Sequence, residues 1–278
     1  MIVRQEIPVM RVFWMLISCL CASGCMTPVI ASSAPARNDS TAYLLHLPGV
    51  AGEQYLDREM LRGLRQGGFD GAIEVYDWAG DNPGFNALMA RKRNKLAAMV
   101  VAEKIEAWRE KEPDAEITLV AHSGGAGIAV WALENLPEET QVDTVMLLAP
   151  ALSPSYDLSE SLRQVRGKCY VFSSIYDVLV LGLGTKLFGT IDRMNVDAAG
   201  RTGFRKPKTA DAQQYKKIVN MPYDVKWMKY ANIGDHIGWM SKSFARHVLA
   251  PLVKKALPLI APATRPSTRP AASLDHEK

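Results

Sequence analysis

The segment 121–125 (AHSGG) places Ser123 among small residues, directly after an apolar run that begins at Glu116. Small residues two positions on either side of a serine allow a sharp turn from a strand into a helix, and such a turn exposes the hydroxyl. An exposed serine hydroxyl can attack an acyl carbonyl once a neighbouring base takes its proton. The pattern therefore predicts a nucleophile at Ser123. The alternative is a serine that only caps the following helix.

Short apolar runs alternate with helical patterns through the body of the chain. Strands are predicted at 41–46, 72–78, 116–121, 142–148, 168–173 and 225–230, and helices from 55 to the glycine pair at 67–68, and at 86–112, 125–136, 158–165 and 244–257. No hairpin turn separates these strands, which is typical of a parallel sheet with helices on both faces. Such sheets bind their ligands at the carboxyl ends of the strands, so the reactive side chains are expected there.

The strand, the serine turn and the helix that follows it resemble the α/β-hydrolase superfamily, in which serine esterases and lipases carry the turn G-x-S-x-G. Ala121 stands in place of the first glycine of that turn. The resemblance implies an α/β fold with a mostly parallel sheet of about six strands and helices on both faces. The fold would be reduced, because the body of the chain begins at the superfamily's third strand. The resemblance also implies a triad in the chain order serine, acid, histidine.

That order implies Asp177, which follows the fifth predicted strand, as the acid of the triad. It implies His236, in a glycine-flanked loop before the last helix, as the general base. Four other carboxylates remain as alternatives for the acid, although none stands as clearly at a strand end: Asp192, Asp197, Asp211 and Asp235. The other histidines fit less well, because they precede Ser123, adjoin it in sequence, or lie in a helix or in the C-terminal tail: His46, His122, His247 and His276.

A glycine-rich turn at 47–52 (LPGVAG) follows the first predicted strand. Related lipases and esterases carry a His-Gly pair where this chain has Pro48-Gly49. The resemblance therefore implies the backbone N–H groups of Val50 and Gly124 as the two donors that would hold an oxyanion. An amide supplies this role, so it does not depend on the side chain at position 48. A dinucleotide site is the alternative, but the turn lacks the G-x-G-x-x-G spacing.

Residues 1–24 resemble an export signal, with Arg4 and Arg11 before the apolar stretch 12–21, which is too short to span a bilayer. The small residues before Cys25 resemble a bacterial lipobox, which implies lipid attachment at Cys25; cleavage after 32–34 is the alternative. We expect a tether at 25–40, an α/β-hydrolase domain at 41–260 and a disordered tail at 261–278. The protein is predicted to be exported and to lie in the cell envelope with a lipid anchor; a secreted protein is the alternative.

Thirty-three basic residues against 29 acidic ones give a net charge of +4 on a chain that is 48% hydrophobic. Because the two signs are interspersed, the charge gives little support for a nucleic-acid partner. No cluster has the spacing of a metal site, and the chemistry needs no metal or organic cofactor.

The predicted function is an exported serine hydrolase that cleaves small-molecule or lipid carboxylic esters through an acyl-enzyme on Ser123. The alternative is a catalytically silent binding protein of the envelope with the same fold. The segment 178–224 is predicted to be an insertion beside the acid.

Overall fold

The computed structural model describes residues 42–80, 83–177 and 190–256. All of them belong to one compact unit, 39–278. The predicted signal peptide, the tether, Cys25 and the predicted tail lie outside the described residues, as does the stretch 178–189 of the predicted insertion. Within the described ranges, no helix combines the length and the apolar character needed to cross a membrane.

Six parallel strands form the sheet in the order β2-β1-β3-β4-β5-β6. The strands are β1 (Ala42–Leu47), β2 (Ala72–Val75), β3 (Glu116–His122), β4 (Val142–Leu148), β5 (Val165–Ser173) and β6 (Ile218–Pro222). Every residue of β1 and β4 is buried, and so is every residue of β3 after its first. Strands with both faces buried require a helical layer on each side of the sheet. The predicted fold class is thereby confirmed.

The helices connect successive strands and then close the chain. They are α1 (Tyr55–Gln66), α2 (Phe85–Met89), α3 (Arg91–Lys111), α4 (Gly125–Glu134), α5 (Ser159–Arg163), α6 (Ala199–Thr202), α7 (Ala212–Tyr215), α8 (Lys242–Phe244), a π-helical turn (Ala245–Leu249) and α9 (Ala250–Ala256). Helix α1 packs against the closing helices so tightly that a Cβ on Gly63 would lie 2.2 Å from the Lys242 carbonyl oxygen. The predicted helix 86–112 is divided at Ala90 into α2 and α3.

The prediction of a sixth strand at 225–230 was wrong. This segment is a 3-10 helix, Val225–Tyr230, and Asp224 caps it by accepting a hydrogen bond from the Lys226 N–H. The sixth strand lies earlier, at Ile218–Pro222 (IVNMP), inside the segment that we interpreted as an insertion without strands. An edge strand is half exposed and tolerates proline, so it lacks the apolar pattern that marks the buried strands.

Candidate active site

Ser123 occupies the sharp turn between β3 and α4. Its φ angle is 53°, in the left-handed region that only a minority of non-glycine residues adopt. Hydrogen bonds on both sides hold the turn: the Ser123 N–H donates to the Leu148 carbonyl at 2.9 Å, and the Ala151 N–H donates to the Ser123 carbonyl at 3.0 Å. A Cβ on Gly125 would lie 2.4 Å from the Pro48 carbonyl oxygen, so only glycine fits there. The small residue two positions after the serine therefore has the steric role that the motif predicts.

The structure brings together the three side chains that the sequence proposes as a triad. The His236 Nε2 and the Ser123 Oγ lie 3.0 Å apart, and the His236 Nδ1 and the Asp177 Oδ2 lie 2.5 Å apart. Asp177 follows β5 in a tight turn, and its side chain is 1% exposed. Because an ionised carboxylate only accepts hydrogen bonds, it places a proton on Nδ1 and leaves Nε2 facing the serine hydroxyl.

The loop that carries His236 is held by short-range hydrogen bonds. The buried Asn232 accepts a hydrogen bond from the Gly234 N–H at 2.9 Å, and Asp235 accepts one from the Gly238 N–H at 2.8 Å. Gly234 has a φ of 83°, and a Cβ at this position would lie 2.9 Å from the Tyr223 ring. The two glycines that flank the histidine in the sequence therefore allow a turn that a side chain would obstruct.

The alternative acids have other partners. Asp192 accepts from the Ser153 N–H at 3.0 Å, Asp197 pairs with Arg201 at 2.8 Å, Asp211 caps α7, and Asp235 caps the turn beside His236. Of the other histidines, His247 stacks on Tyr230 with ring centroids 4.7 Å apart, and His276 lies outside the described residues. His46 and His122 are buried near the serine and are treated below.

The two residues predicted to supply oxyanion donors are neighbours in space. A Cβ on Gly124 would lie 2.7 Å from the Val50 Cγ1. Neither backbone N–H, that of Val50 or that of Gly124, donates a hydrogen bond to any residue that the structure describes. An oxyanion site requires two N–H groups that converge on one point and have no other acceptor, and the neighbouring residues Val50 and Gly124 are compatible with this.

Asp77 and Trp78, just after β2, hold the loop that contains Val50. Neither was among the predicted site residues. The Trp78 Nε1–H donates to the Pro48 carbonyl oxygen at 2.7 Å, and the Trp78 ring lies against Gly124. The Asp77 carboxylate accepts a hydrogen bond from the Glu53 N–H at 2.9 Å. The sequence signal that could have pointed to them is that an aspartate and a tryptophan stand at the end of a predicted strand. Nothing in the sequence connected them to a loop about 30 residues away.

A buried contact between a histidine and an aspartate joins the two ends of the same loop. The His46 Nε2 and the Asp57 Oδ1 lie 2.7 Å apart, and the His46 Nδ1 donates to the Val120 carbonyl at 2.9 Å. The other Asp57 oxygen accepts from the Gln54 N–H at 2.8 Å. Burial opposes the charge on Asp57, but hydrogen bonds from His46 and Gln54 and the nearby imidazoles outweigh it and lower the pKa of the carboxyl group. Both ring nitrogens of His46 therefore face oxygen atoms of buried partners.

Asp57→Ala should lower the free energy of unfolding by about 3 kcal/mol, because it removes a buried carboxylate and leaves the His46 ring and the Gln54 N–H without that partner. Urea denaturation measures the change. The exposed Asp70→Ala is the matched control and should change the free energy by less than about 0.5 kcal/mol. Equal stabilities of the two variants would contradict the structural role of the pair.

His122 lies beside the candidate base and was set aside in the sequence analysis because it adjoins Ser123. Its Nε2–H donates to the main-chain oxygen of His236 at 3.0 Å, and the two rings lie 4.8 Å apart. Burial lowers the pKa of His122 to about 4, and the neighbouring His236 lowers it in the same direction. His122 is therefore neutral at physiological pH, with its one proton on Nε2, since a carbonyl oxygen can only accept.

The lowered pKa of His122 predicts a pH dependence of stability. Between its ordinary pKa of 6.5 and the folded value of about 4, the unfolded chain binds a proton that the folded chain does not. The contribution of His122 to the free energy of unfolding is complete above pH 6.5. It declines as the pH falls toward 4, by about 3 kcal/mol in all. His122→Gln does not titrate, so its free energy of unfolding should fall less steeply across this range in urea titrations. Parallel pH profiles for the two proteins would contradict this.

Comparisons with known proteins agree with this architecture. A family model described as "Alpha/beta hydrolase of unknown function (DUF900)" matches residues 59–222, more than half of the chain. A search of curated proteins finds no match. Among solved structures, Aspergillus fumigatus lipase B is 13% identical with a TM-score of 0.50, over 81% of this chain and 54% of the lipase. The esterase domain of a Rhodothermus marinus protein is 15% identical with a TM-score of 0.45, over 80% of this chain and 89% of that domain.

The chain spans about half the length of the fungal lipase that it matches, and at such low identity the likeness concerns the fold. The family model covers β2 to β6 and includes the turn at Ser123. The resemblance inferred from the sequence is thereby confirmed: the chain belongs to the alpha/beta-hydrolase family of unknown function DUF900.

Proposed function

We propose that this protein is a serine hydrolase that cleaves carboxylic esters through an acyl-enzyme on Ser123, with His236 as general base and Asp177 as the acid of the triad. The observation that carries the proposal is the continuous contact from the Ser123 hydroxyl through the His236 imidazole to the buried Asp177 carboxylate, at 3.0 Å and 2.5 Å. The distance from the serine to the base lies within the range of about 2.6–3.2 Å for such a pair, and the contact from the base to the carboxylate is shorter still.

In the first half-reaction the Ser123 Oγ attacks the ester carbonyl while His236 Nε2 takes the hydroxyl proton. The carbonyl oxygen becomes an oxyanion, which the N–H groups of Val50 and Gly124 stabilise. The bond to the leaving alkoxide then breaks, and His236 returns the proton to it. In the second half-reaction water attacks the acyl group, His236 takes and returns a proton again, and the acid and free Ser123 are released.

The substrate class that we propose is an ester of a small molecule or a lipid. The Ser123 side chain lies at the carboxyl end of a parallel sheet, where α/β proteins place their ligands. Lipase B of Aspergillus fumigatus carries the name of a lipase, and the fold likeness to it is consistent with an ester substrate. Hydrolysis of p-nitrophenyl esters of increasing acyl length would define the chain length that the site accepts.

We also propose that the chain is exported and carries lipid on Cys25. The charged start, the short apolar stretch and the small residues before Cys25 support this. In a bacterial host fed an alkyne fatty acid, the protein should incorporate the label. Cys25→Ala should abolish labelling, whereas Cys21→Ala, which changes a cysteine of the proposed signal, should keep it. Equal labelling of the two variants would overturn the proposed attachment site.

A fluorophosphonate probe tests the proposed hydrolase directly, because it reacts with activated serines in place of an ester carbonyl. Wild type should be labelled on Ser123, and Ser123→Ala should not be labelled. Ser155→Ala, which changes an exposed serine of the same domain, should be labelled like wild type. A folded wild type that stays unlabelled would overturn the proposal and favour the catalytically silent binding protein.

A further inference from the structure

We propose that His122 is a positioning residue for the general base: it holds the main chain of His236 so that the imidazole stays within reach of Ser123. This inference rests on the proposed function, because it assigns His122 a task in the same reaction. The hydrogen bond from His122 Nε2–H to the His236 carbonyl oxygen, 3.0 Å long, carries it.

This hydrogen bond joins the residue next to the nucleophile to the main chain of the residue that carries the base. His122 is the last residue of β3 and Ser123 is the next residue, so the strand that presents the serine also supplies the donor. The acceptor belongs to the residue that presents the base, 114 positions later in the chain. A shift of the His236 loop away from the serine would therefore have to break this bond.

The position of His122 suits that task, since the residue is buried, at 7% exposed, and contacts two loops of the site. The His236 ring lies on one side, with centroids 4.8 Å apart. On the other side, a Cβ on Gly49 would lie 3.1 Å from His122 Nδ1. His122 is thus in contact with the loop that carries the base and with the loop that carries the oxyanion donor Val50.

Glycines at 234 and 238 flank the histidine, and the hydrogen bonds that Asn232 and Asp235 accept lie within the loop itself. From outside the loop, Asp177 contacts the His236 ring and the Tyr223 hydroxyl donates to the Asn232 carbonyl at 3.2 Å. The bond from His122 differs from these because it holds the main chain of His236 itself and comes from the strand that presents the serine.

Three substitutions separate this role from simple packing. The amide nitrogen of glutamine is as many bonds from Cα as the Nε2 of histidine, so His122→Gln can keep the donor. The amide nitrogen of asparagine corresponds to Nδ1 and cannot reach, and leucine has no donor. We expect His122→Gln to keep kcat within about threefold of wild type. His122→Asn and His122→Leu should lose about tenfold in kcat with little change in KM, as for the loss of one hydrogen bond.

The rate per active site is the decisive readout. Enzyme concentration is set by fluorophosphonate titration, so a fraction of unfolded protein lowers the number of sites but not kcat per site. If kcat per site is the same in wild type, His122→Gln and His122→Leu, the positioning role is overturned while the proposed hydrolase stands. If wild type itself is never labelled, the proposed function fails instead.

A measurement on the wild type decides the case even if the variants do not fold. Nitrogen-15 NMR of the imidazole reports which ring nitrogen of His122 carries the proton. The proposal requires a proton on Nε2, since only then can His122 donate to the His236 carbonyl. A neutral ring with its one proton on Nδ1 would overturn it.

Discussion

Ser123→Ala should reduce kcat for p-nitrophenyl acetate by at least about 10⁴-fold, because it removes the atom that forms the acyl-enzyme. The residual rate would come from the oxyanion donors and from substrate binding, which do not need the serine. The fold should persist, since a methyl group fits the space of Ser123 and the turn is held by backbone hydrogen bonds to Leu148 and Ala151. Steady-state kinetics measures the loss, with the concentration of each protein taken from its absorbance, because a variant without Ser123 cannot be titrated by a serine-directed probe.

Ser155→Ala is the control for this loss and should retain full activity, because Ser155 is exposed and lies outside the proposed triad. The far-ultraviolet circular dichroism of both variants should match that of wild type. If Ser123→Ala keeps even a tenth of the wild-type rate, the reaction does not pass through this serine, and another nucleophile must be sought.

Asp177→Asn should lower kcat by about 10⁴-fold with the geometry of the site preserved. The carboxylate now accepts the proton of His236 Nδ1 at 2.5 Å. An asparagine amide would donate its own N–H there and move the ring proton to Nε2. A protonated Nε2 cannot accept the proton of the Ser123 hydroxyl, so the nucleophile would stay neutral.

The matched control for this substitution is Asp211→Asn. Asp211 was an alternative acid in the sequence, but in the structure it caps α7, and asparagine caps helices as well as aspartate does. Its kcat should stay within about twofold of wild type. An Asp211→Asn variant that lost as much activity as Asp177→Asn would contradict the assignment of the acid.

The fold was largely predictable from the chain because its central strands are buried on both faces. Such strands appear as continuous apolar runs, and β3 and β4 were located to within a residue. The turn at Ser123 was also predictable, since a strained turn accepts few residue types and the surrounding segment contains them. Strand β6 was missed because a half-exposed edge strand ending in proline carries neither signal.

The environment of the candidate site was less predictable. Asp177 and His236 were proposed from their order along the chain. The contacts from Asp177 to His236 and from His236 to Ser123 depend on the strand order, which no local pattern reports. His122 and His46 were set aside for their positions in the sequence. His122 is important because it contacts the carbonyl of residue 236, and His46 because it contacts Asp57 at the other end of the loop. Such pairs are visible only in three dimensions.

The most direct test of the central claim is to isolate the acyl-enzyme. Wild type mixed with p-nitrophenyl acetate and quenched in acid within one turnover should carry a single acetyl group, and peptide mass mapping should place it on Ser123. The same experiment with His236→Ala should yield almost no acetylated peptide, because the serine then lacks its base. Release of p-nitrophenol by wild type with no acetyl group on Ser123, or with the group on another side chain, would contradict the account.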